Sequence, residues 1–329
     1  MTRRLFASAL VLAVLFGAGE LVARTFLRQG AVVFPRYEAD YTYGPYTLRG
    51  TRGRADFWHA SVDGSWRFVT NSKGFRNARE FAYVKPVGVL RVLSLGGADA
   101  FGYEARQDFT YAAVAQRYLA RQHAEAEVIN AAVPGYGMAD ALAFMIGEGY
   151  KYSPDVLVLG IQARDFAANA ASGLFALEAN GQLKEASYEH ARRSMFAPLR
   201  RVAERSYLIS MLFRTAHAAP ADIVRPSERE IELAGAILER MQRICAARNT
   251  RFIVVDIPQL DAGGGATSSL PEALRTRMAR LGIESVTADE LLAPYYGGPE
   301  MHVAHGERHI SEFAHALIGV ELGRRLIKR

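Results

Sequence analysis

The chain has 329 residues, half of them apolar, which is enough to bury a full core in one large or two small domains. Its formal charge of +6 comes from scattered lysines and arginines, with no dense basic block. We therefore expect no nucleic-acid partner. Cys245 is the only cysteine, which excludes an intrachain disulfide and a cysteine-based metal site.

The N-terminus predicts a membrane anchor. Two arginines precede an almost wholly apolar run at residues 5–18, and apolar residues continue past Glu20. The whole stretch, 5–23, is close to the roughly 20 residues that a helix needs to cross a bilayer. No convincing cleavage site follows, so we predict an uncleaved anchor in a bacterial inner membrane, with a cleaved signal peptide as the alternative. The short preceding tail is expected to stay in the cytoplasm, which places the main domain in the periplasm.

Residues 29–87 lack long helical periodicity and predict short strands and turns that pack on the main domain. The alternation in Trp66–Thr70 is typical of a strand. Asn71–Arg76, with the sequence N-S-K-G-F-R, predicts a turn in which Gly74 takes a positive φ.

The chain is organised around Leu90–Gly102, with the sequence L-R-V-L-S-L-G-G-A-D-A-F-G. Its apolar first half predicts a buried strand, and a helical pattern follows at about 108–123. A strand that stops at glycines and leads into a helix places backbone N–H groups at the C-terminal edge of a sheet. Open α/β sheets build their sites at that edge.

Strand and helix patterns alternate after this stretch. We predict strands at 127–131, 155–161, 251–257 and 283–286, and helices at 138–150, 227–248, 270–281 and 311–326. Ser227, with Glu230 three residues later, forms a capping box that marks the start of the second of these helices. Residues 166–226 are less regular and are interpreted as an insertion that could cover the sheet edge. The order predicts a three-layer α/β sandwich with a central parallel sheet.

Taken in order, these blocks resemble the SGNH (GDSL-type) hydrolases, specifically their membrane-anchored bacterial members. The resemblance is carried by Glu20–Arg24, by Asn71–Arg76, by the turn at 96–102 and by the blocks described next. It covers nearly the whole chain and implies a flavodoxin-like domain. It also implies acyl transfer, in which a serine attacks an ester, a histidine takes its proton and an acid orients the histidine.

Three units follow from this reading. They are a cytoplasmic tip and anchor at 1–28, a strand-and-turn segment at 29–87, and the α/β domain at 88–329, which contains the insertion.

The resemblance places the family's serine position at Ala98 and its aspartate position at Gly97. A methyl group cannot attack a carbonyl, so the nucleophile is missing. The family's oxyanion-hole glycine falls at Ala132, where a backbone N–H remains. Its oxyanion-hole asparagine falls at Arg164, which is followed by Asp165.

The last block keeps His309, but the family's aspartate three residues earlier is Gly306. Glu307 is the remaining candidate acid, so the resemblance implies that His309 and Glu307 are relic or weak catalytic groups. Asp99 could attack an ester in place of the serine, but its expected role is a favourable charge on the first turn of the next helix.

A metal site formed by His302, His305 and His309 is conceivable, but no carboxylate pattern accompanies them. We therefore prefer a polar loop there, and we expect no metal and no cofactor. Arg164 keeps two interpretations, a clamp for an anionic ligand or an ion pair with Asp165 or Asp99.

Two functional hypotheses follow. The first is a degenerate, non-hydrolytic protein that binds a glycan or acylated ligand, such as an envelope polysaccharide, in the old cleft. Its ligand-binding residues would be Gly97, Ala98, Asp99, Ala132, Arg164 and Asp165. The second is an active carbohydrate esterase or O-acyltransferase that uses His309 and a substituted nucleophile. The missing serine favours the first, because removal of the nucleophile leaves only residual rate enhancement.

Overall fold

A computed structural model describes residues 2–27, 37–61, 63–185, 206–216, 224–260, 265–295, 300–303 and 308–328. Helix α1 (Thr2–Thr25) is long and apolar enough to cross a membrane. This agrees with the predicted anchor, although a signal sequence near an N-terminus has the same length and composition.

Thirteen strands occur in the described residues, and five of them form the central sheet. In chain order they are β1 (Glu38–Tyr43), β2 (Tyr46–Thr51), β3 (Asp56–Ser61), β4 (Gly64–Val69), β5 (Leu90–Gly96), β6 (Ala126–Asn130), β7 (Val156–Ile161), β8 (Phe175–Leu177), β9 (Leu183–Glu185), β10 (Arg251–Asp256), β11 (Gln259–Leu260), β12 (Ala266–Thr267) and β13 (Glu284–Thr287). The sheet has the order β13-β10-β7-β5-β6 and is parallel throughout.

The further helices begin and end as follows: α2 (Ala98–Phe101), α3 (Tyr111–Arg121), α4 (Met138–Gly147), α5 (Asp165–Ser172), α6 (Tyr207–Ala216), α7 (Glu228–Ala247), α8 (Glu272–Arg280), α9 (Ala288–Leu292) and α10 (Glu312–Ile327). Helices α4, α7 and α8 share one hydrophobic core with one face of the sheet. Helices α3, α9 and α10 share a second core with the other face. The predicted three-layer α/β sandwich is confirmed.

Strands β5, β7 and β10 are mostly apolar because both faces of the sheet are covered. In β5, Leu93 and Leu95 belong to the first core, whereas Val92 belongs to the second. Every residue of β7 is buried. The five strands therefore hold the site at their shared C-terminal edge with little freedom to move.

The N-terminal hairpins add to both cores. Hairpin β1–β2 contributes Tyr43 and Leu48 to the first core, and hairpin β3–β4 contributes Phe57 and Phe68 to the second. Strand β4 alternates between buried and more exposed residues, as the sequence predicted for this stretch.

Several element ends differ from the predicted ones by a few residues. Helix α3 begins at Tyr111 because the hydroxyl of Thr110 caps it, and a separate 3₁₀ turn, Gln107–Phe109, precedes it. Helix α4 ends at Gly147, and a 3₁₀ turn over Gly149–Tyr152 completes the predicted segment. The capping box predicted by the sequence at Ser227 is present at the start of α7.

The segment interpreted as an insertion has structure where it is described. Its first part forms α5 directly after β7, followed by hairpin β8–β9 and then by α6. Residues 186–205 and 217–223 of the segment lie outside the described residues.

Candidate functional site

The site begins where β5 turns into α2. Gly96 has a φ of +138°, and a Cβ there would lie 2.5 Å from the Gly160 carbonyl oxygen on β7. A side chain would be strained by this positive φ and would clash with the carbonyl oxygen, so only glycine fits. The backbone therefore turns sharply at Gly96. The turn places Gly97, Ala98 and Asp99 at the C-terminal edge of the sheet, as the sequence predicted for this stretch.

Gly97 sits in a crowded position. A Cβ there would lie 2.9 Å from Gln162 Nε2, 2.9 Å from the Tyr136 carbonyl oxygen and 3.3 Å from Asp165 Oδ1. Ala98 is the first residue of α2 and is 9% exposed. The whole turn, 96–102, contains no hydroxyl and no thiol, so it carries no nucleophile of the usual kind.

Asp99 and His309 come together although they are far apart in the sequence. Asp99 Oδ1 lies 3.3 Å from His309 Nδ1 and accepts a 2.9 Å hydrogen bond from the Ile310 N–H. Burial opposes the charged form of Asp99, but His309 and the Ile310 N–H outweigh it and hold the pKa of Asp99 well below its usual range. Asp99 therefore has the geometry of an acid that orients a histidine.

An aromatic side chain also packs against the imidazole. The ring of Tyr103 meets the His309 ring edge to face, with 5.1 Å between centroids. His309 is 1% exposed, so its ring is enclosed by the turn and the segment before α10. Asp99 and Tyr103 together restrict its orientation.

A second buried carboxyl group lies beside the turn. Asp165 Oδ2 accepts a 3.0 Å hydrogen bond from the Gln162 N–H, and the residue is 2% exposed. Burial raises the pKa of Asp165 to about 8, and the charge of Asp99 acts in the same direction. Asp165 is thus mainly protonated at neutral pH, while Asp99 is charged.

Arg164 is exposed on the loop before α5, next to this pair of carboxyl groups. Its charge lowers the pKa of both Asp99 and Asp165, although burial and hydrogen bonds contribute more. Both earlier interpretations of Arg164 remain compatible with this position.

Ala132 faces the interior. Its side chain belongs to the second core, and its N–H donates a 3.3 Å hydrogen bond to Asn130 Oδ1. The amide nitrogen of Asn130 in turn donates to the carbonyl oxygens of Ala100 and Phe101, at 3.4 and 3.3 Å. In this structure the Ala132 N–H thus supports the turn and is engaged within the protein.

Two predicted residues cannot be placed. Glu307 and His305 lie outside the described residues. Of the remaining candidate metal ligands, His302 is buried and its Nε2 lies 3.1 Å from the Pro258 carbonyl oxygen. Within the described ranges, no group of three or more His, Cys, Asp and Glu side chains is arranged to hold a metal ion.

The structure brings Gly97, Ala98, Asp99, Asp165 and His309 to one edge of the sheet. The role of Asp99 as the partner of His309 was not foreseen, because the family pattern places the acid just before the histidine. The replacement of that acid by Gly306, together with the carboxylate of Asp99 in the turn, is the signal that could have indicated this role. Tyr103 and Gln162 carried no such signal.

Comparisons with known proteins give similarity in three dimensions only. No protein-family model matches the sequence, and no curated protein matches it. One similar structure is a lipase/acylhydrolase from Enterococcus faecalis, with 19% identity and a TM-score of 0.44, covering 71% of this chain and 93% of that one. Another is a putative lipolytic protein of the G-D-S-L family from Desulfitobacterium hafniense, with 10% identity and a TM-score of 0.42, covering 72% and 99%.

A third similar structure is a mutant acetyl-xylooligosaccharide esterase from Geobacillus, with 11% identity and a TM-score of 0.43, covering 75% of this chain and 97% of that one. At such identities and TM-scores, the activities of these proteins do not carry over to this chain. The strand order and the helices on both faces make the fold a flavodoxin-like three-layer sandwich, with the turn at its sheet edge.

Proposed function

We propose that the chain is a non-hydrolytic SGNH hydrolase-like protein of the bacterial cell envelope that binds a glycan or acylated ligand at the C-terminal edge of its sheet. In this proposal α1 anchors the chain in the inner membrane and the main domain is periplasmic. The observation that carries the proposal is the turn at 96–102, where Ala98 stands at the nucleophile position and no neighbour in the turn supplies a hydroxyl or thiol.

Asp99 is a poor substitute nucleophile. The residue is 6% exposed, and its carboxylate lies against His309 and accepts the Ile310 N–H. Attack on an ester by this group would require it to leave both contacts. The same contacts support a binding role. They hold polar groups in place at the edge of the sheet, and they leave the Asp99 oxygens engaged within the protein.

Arg164 gives the proposed ligand a chemical class. It is an exposed cation beside the two buried carboxyl groups, and guanidinium groups bind carboxylates with charge-assisted, often paired hydrogen bonds. A glycan that carries uronic acids or acyl groups with a free carboxylate fits this side chain. Asp165, protonated at neutral pH, can donate a hydrogen bond to a carbonyl or hydroxyl oxygen once it faces a ligand.

The test is hydrolysis of short-chain aryl acetates by the purified full chain. We expect no turnover above that of His309→Ala, because an oriented imidazole without a nucleophile gives only residual rate enhancement. Turnover that disappears in both His309→Ala and Asp99→Ala would contradict the proposal.

A binding measurement complements this test. Titration calorimetry with uronic-acid oligosaccharides is expected to show binding that weakens about tenfold or more in Arg164→Ala, as the loss of a charge-assisted hydrogen bond requires. Arg243→Ala removes an exposed arginine on α7 and serves as the matched control. Equal affinities for the two variants would remove Arg164 from the proposed site.

One observation favours the second candidate function, an esterase or O-acyltransferase. The 3.3 Å contact between Asp99 and His309 preserves the acid–histidine half of a hydrolase site. His309 could then act as a general base on a water molecule, which would attack the ester carbonyl while its proton moves to the imidazole. The tetrahedral intermediate would break its C–O bond, and the imidazolium would return the proton to the departing alcohol. The aryl acetate assay distinguishes this candidate from the first.

A further inference from the structure

Helix α6, in the insertion, packs on the last turns of α1. A Cβ at Gly19 would lie 3.0 Å from Leu208 Cδ2, and Ala23 is only 1% exposed. The guanidinium of Arg24 lies 5.5 Å from the centre of the Tyr207 ring. The C-terminal end of α1 is therefore in contact with protein, whereas most of its length is exposed.

Glu20 joins the two helices. Its carboxylate accepts hydrogen bonds from Ser206 Oγ at 2.7 Å and from the N–H groups of Tyr207 and Leu208 at 2.9 and 3.0 Å. Arg24 Nε donates to the same carboxylate at 2.7 Å. A carboxylate on an apolar span is costly unless it is paired, and the first turn of a helix supplies unpaired N–H groups and a favourable dipole. Glu20 thus has partners on α6 that explain its presence.

The position of this contact along α1 is near one membrane surface. Glu20 follows Arg4 by 16 residues, which is about 24 Å along a helix, close to the ~30 Å thickness of the hydrocarbon core. With the basic N-terminus at one surface, Glu20 lies near the other.

Helix α6 has the composition of a helix that lies in such a boundary. Its sequence, Y-L-I-S-M-L-F-R-T-A, contains a single charged residue, and Leu212 is 61% exposed. Ten residues span about 15 Å, which is too short to cross a membrane. An apolar helix of this length, fixed beside a membrane anchor, suits the region between lipid headgroups and acyl chains.

We propose that α6 is a membrane-surface helix that binds phospholipid through the face that contains Leu212, and that Gly19 and Glu20 position it there. This proposal does not depend on the ligand or the activity of the sheet-edge site. It requires that α1 remains part of the mature protein.

The experiment uses a fluorescent label on an introduced cysteine in the full chain, reconstituted in vesicles of phosphatidylcholine and phosphatidylglycerol. The native Cys245 is fully buried, so labelling is directed to the introduced site. We expect a label at Leu212→Cys to show blue-shifted emission and a large loss of intensity when spin-labelled lipids are included. A label at Ala247→Cys, an exposed position on α7, is expected to show neither change.

Two glycine substitutions test the role of the helix contact. Gly19→Val places a branched side chain against Leu208 and is expected to shift the Leu212→Cys label toward the values of the Ala247→Cys control. Gly17→Val is the matched control, because nothing lies within 4 Å of a Cβ at that position. Glu20→Gln is expected to give a smaller change in the same direction as Gly19→Val.

Three results would overturn the proposal. The first is a label at residue 212 that behaves like the one at residue 247. The second is a blue shift without quenching by lipid, which would mean that protein covers this face. The third is a mature chain, sequenced from membranes, that begins after residue 25.

Discussion

The groups packed around Gly97 limit which residues this position can hold. Gln162 and Tyr136 lie where any larger residue would place its Cβ, and Asp165 is close behind them. The two departures from the hydrolase pattern therefore differ in kind. Ala98 lacks the oxygen atom of a serine, whereas Gly97 lies where a Cβ would come close to three neighbouring groups.

We expect that Gly97→Asp combined with Ala98→Ser does not restore esterase activity. Aspartate at 97 must displace Gln162, and Arg164 still stands at the asparagine position. The measurement is turnover of an aryl acetate, with Ala98→Ser alone as the companion variant. We also expect the double variant to be less stable than Ala98→Ser by about 1–3 kcal/mol, the usual cost of overpacking. Full activity of the double variant would show that the oxyanion side of the site is intact.

Asp165 makes stability depend on pH. Burial raises its pKa from 3.8 to about 8, so the folded chain holds a proton that the unfolded chain has released between these values. The contribution of Asp165 to the free energy of unfolding therefore decreases as the pH rises through this window. Asp165→Asn cannot ionise, and its stability relative to the parent chain is expected to increase from pH 5 to pH 8.

Urea unfolding of the detergent-solubilised chain at several pH values measures this difference. Asp108→Asn, at an exposed position, is the control and is expected to follow the parent chain at every pH. A constant difference between Asp165→Asn and the parent would mean that Asp165 is charged in the folded protein.

At the level of helices, the close packing of α3 and α10 holds the segment that carries His309. A Cβ at Gly319 would lie 2.5 Å from Val114 Cβ and 2.7 Å from the Tyr111 carbonyl oxygen. His315 Nδ1 accepts the Tyr111 N–H at 3.2 Å, which satisfies a donor at the start of α3. Burial lowers the pKa of His315 to about 4, so it remains neutral and able to accept at neutral pH.

We expect Gly319→Val to lower the free energy of unfolding by at least about 1–3 kcal/mol, because the added side chain must separate the two helices. Thermal and urea unfolding measure the effect. Val320→Ala, at a half-exposed position on the same helix, is expected to change stability far less. Similar losses for the two variants would mean that α3 and α10 are packed less closely than described.

The sequence was sufficient for elements whose signals are local. Apolar runs located β5, β7 and β10, and Ser227 with Glu230 located the start of α7. The pairing of Asp99 with His309 was not predictable in this way, because it joins residues more than 200 positions apart through the return of the chain before α10. The crowding at Gly97 has the same origin, since Gln162 reaches it from the next strand of the sheet.

At the scale of the whole molecule, the N-terminal segment contributes a side chain, Arg76, that supports the turn at the site. Arg76 is 3% exposed, and its guanidinium donates to the carbonyl oxygens of Phe101 at 2.9 Å, Ala105 at 2.5 Å and Gly102. It also lies 4.3 Å from the centre of the Phe68 ring. One side chain from the predicted turn at 71–76 thus holds the chain that follows Ala98.

We expect Arg76→Lys to lower the free energy of unfolding by at least about 2 kcal/mol, because an ammonium group cannot reproduce the planar fork that serves these carbonyls. The control is Arg67→Lys on β4, whose partner Asp56 is more than half exposed. We also expect faster proteolysis within 98–105 in Arg76→Lys, monitored by mass spectrometry of limited digests. Unchanged stability and digestion would mean that the turn is held without Arg76.

The filled space beside Gly97 also constrains the order in which this sequence can change over evolutionary time. Aspartate at 97 must displace the Gln162 side chain and also shift the backbone carbonyl of Tyr136. A mutational path toward a Gly-Asp-Ser turn therefore has to relieve this crowding as well as supply the two side chains. A change that only relieves the crowding brings no catalytic benefit of its own.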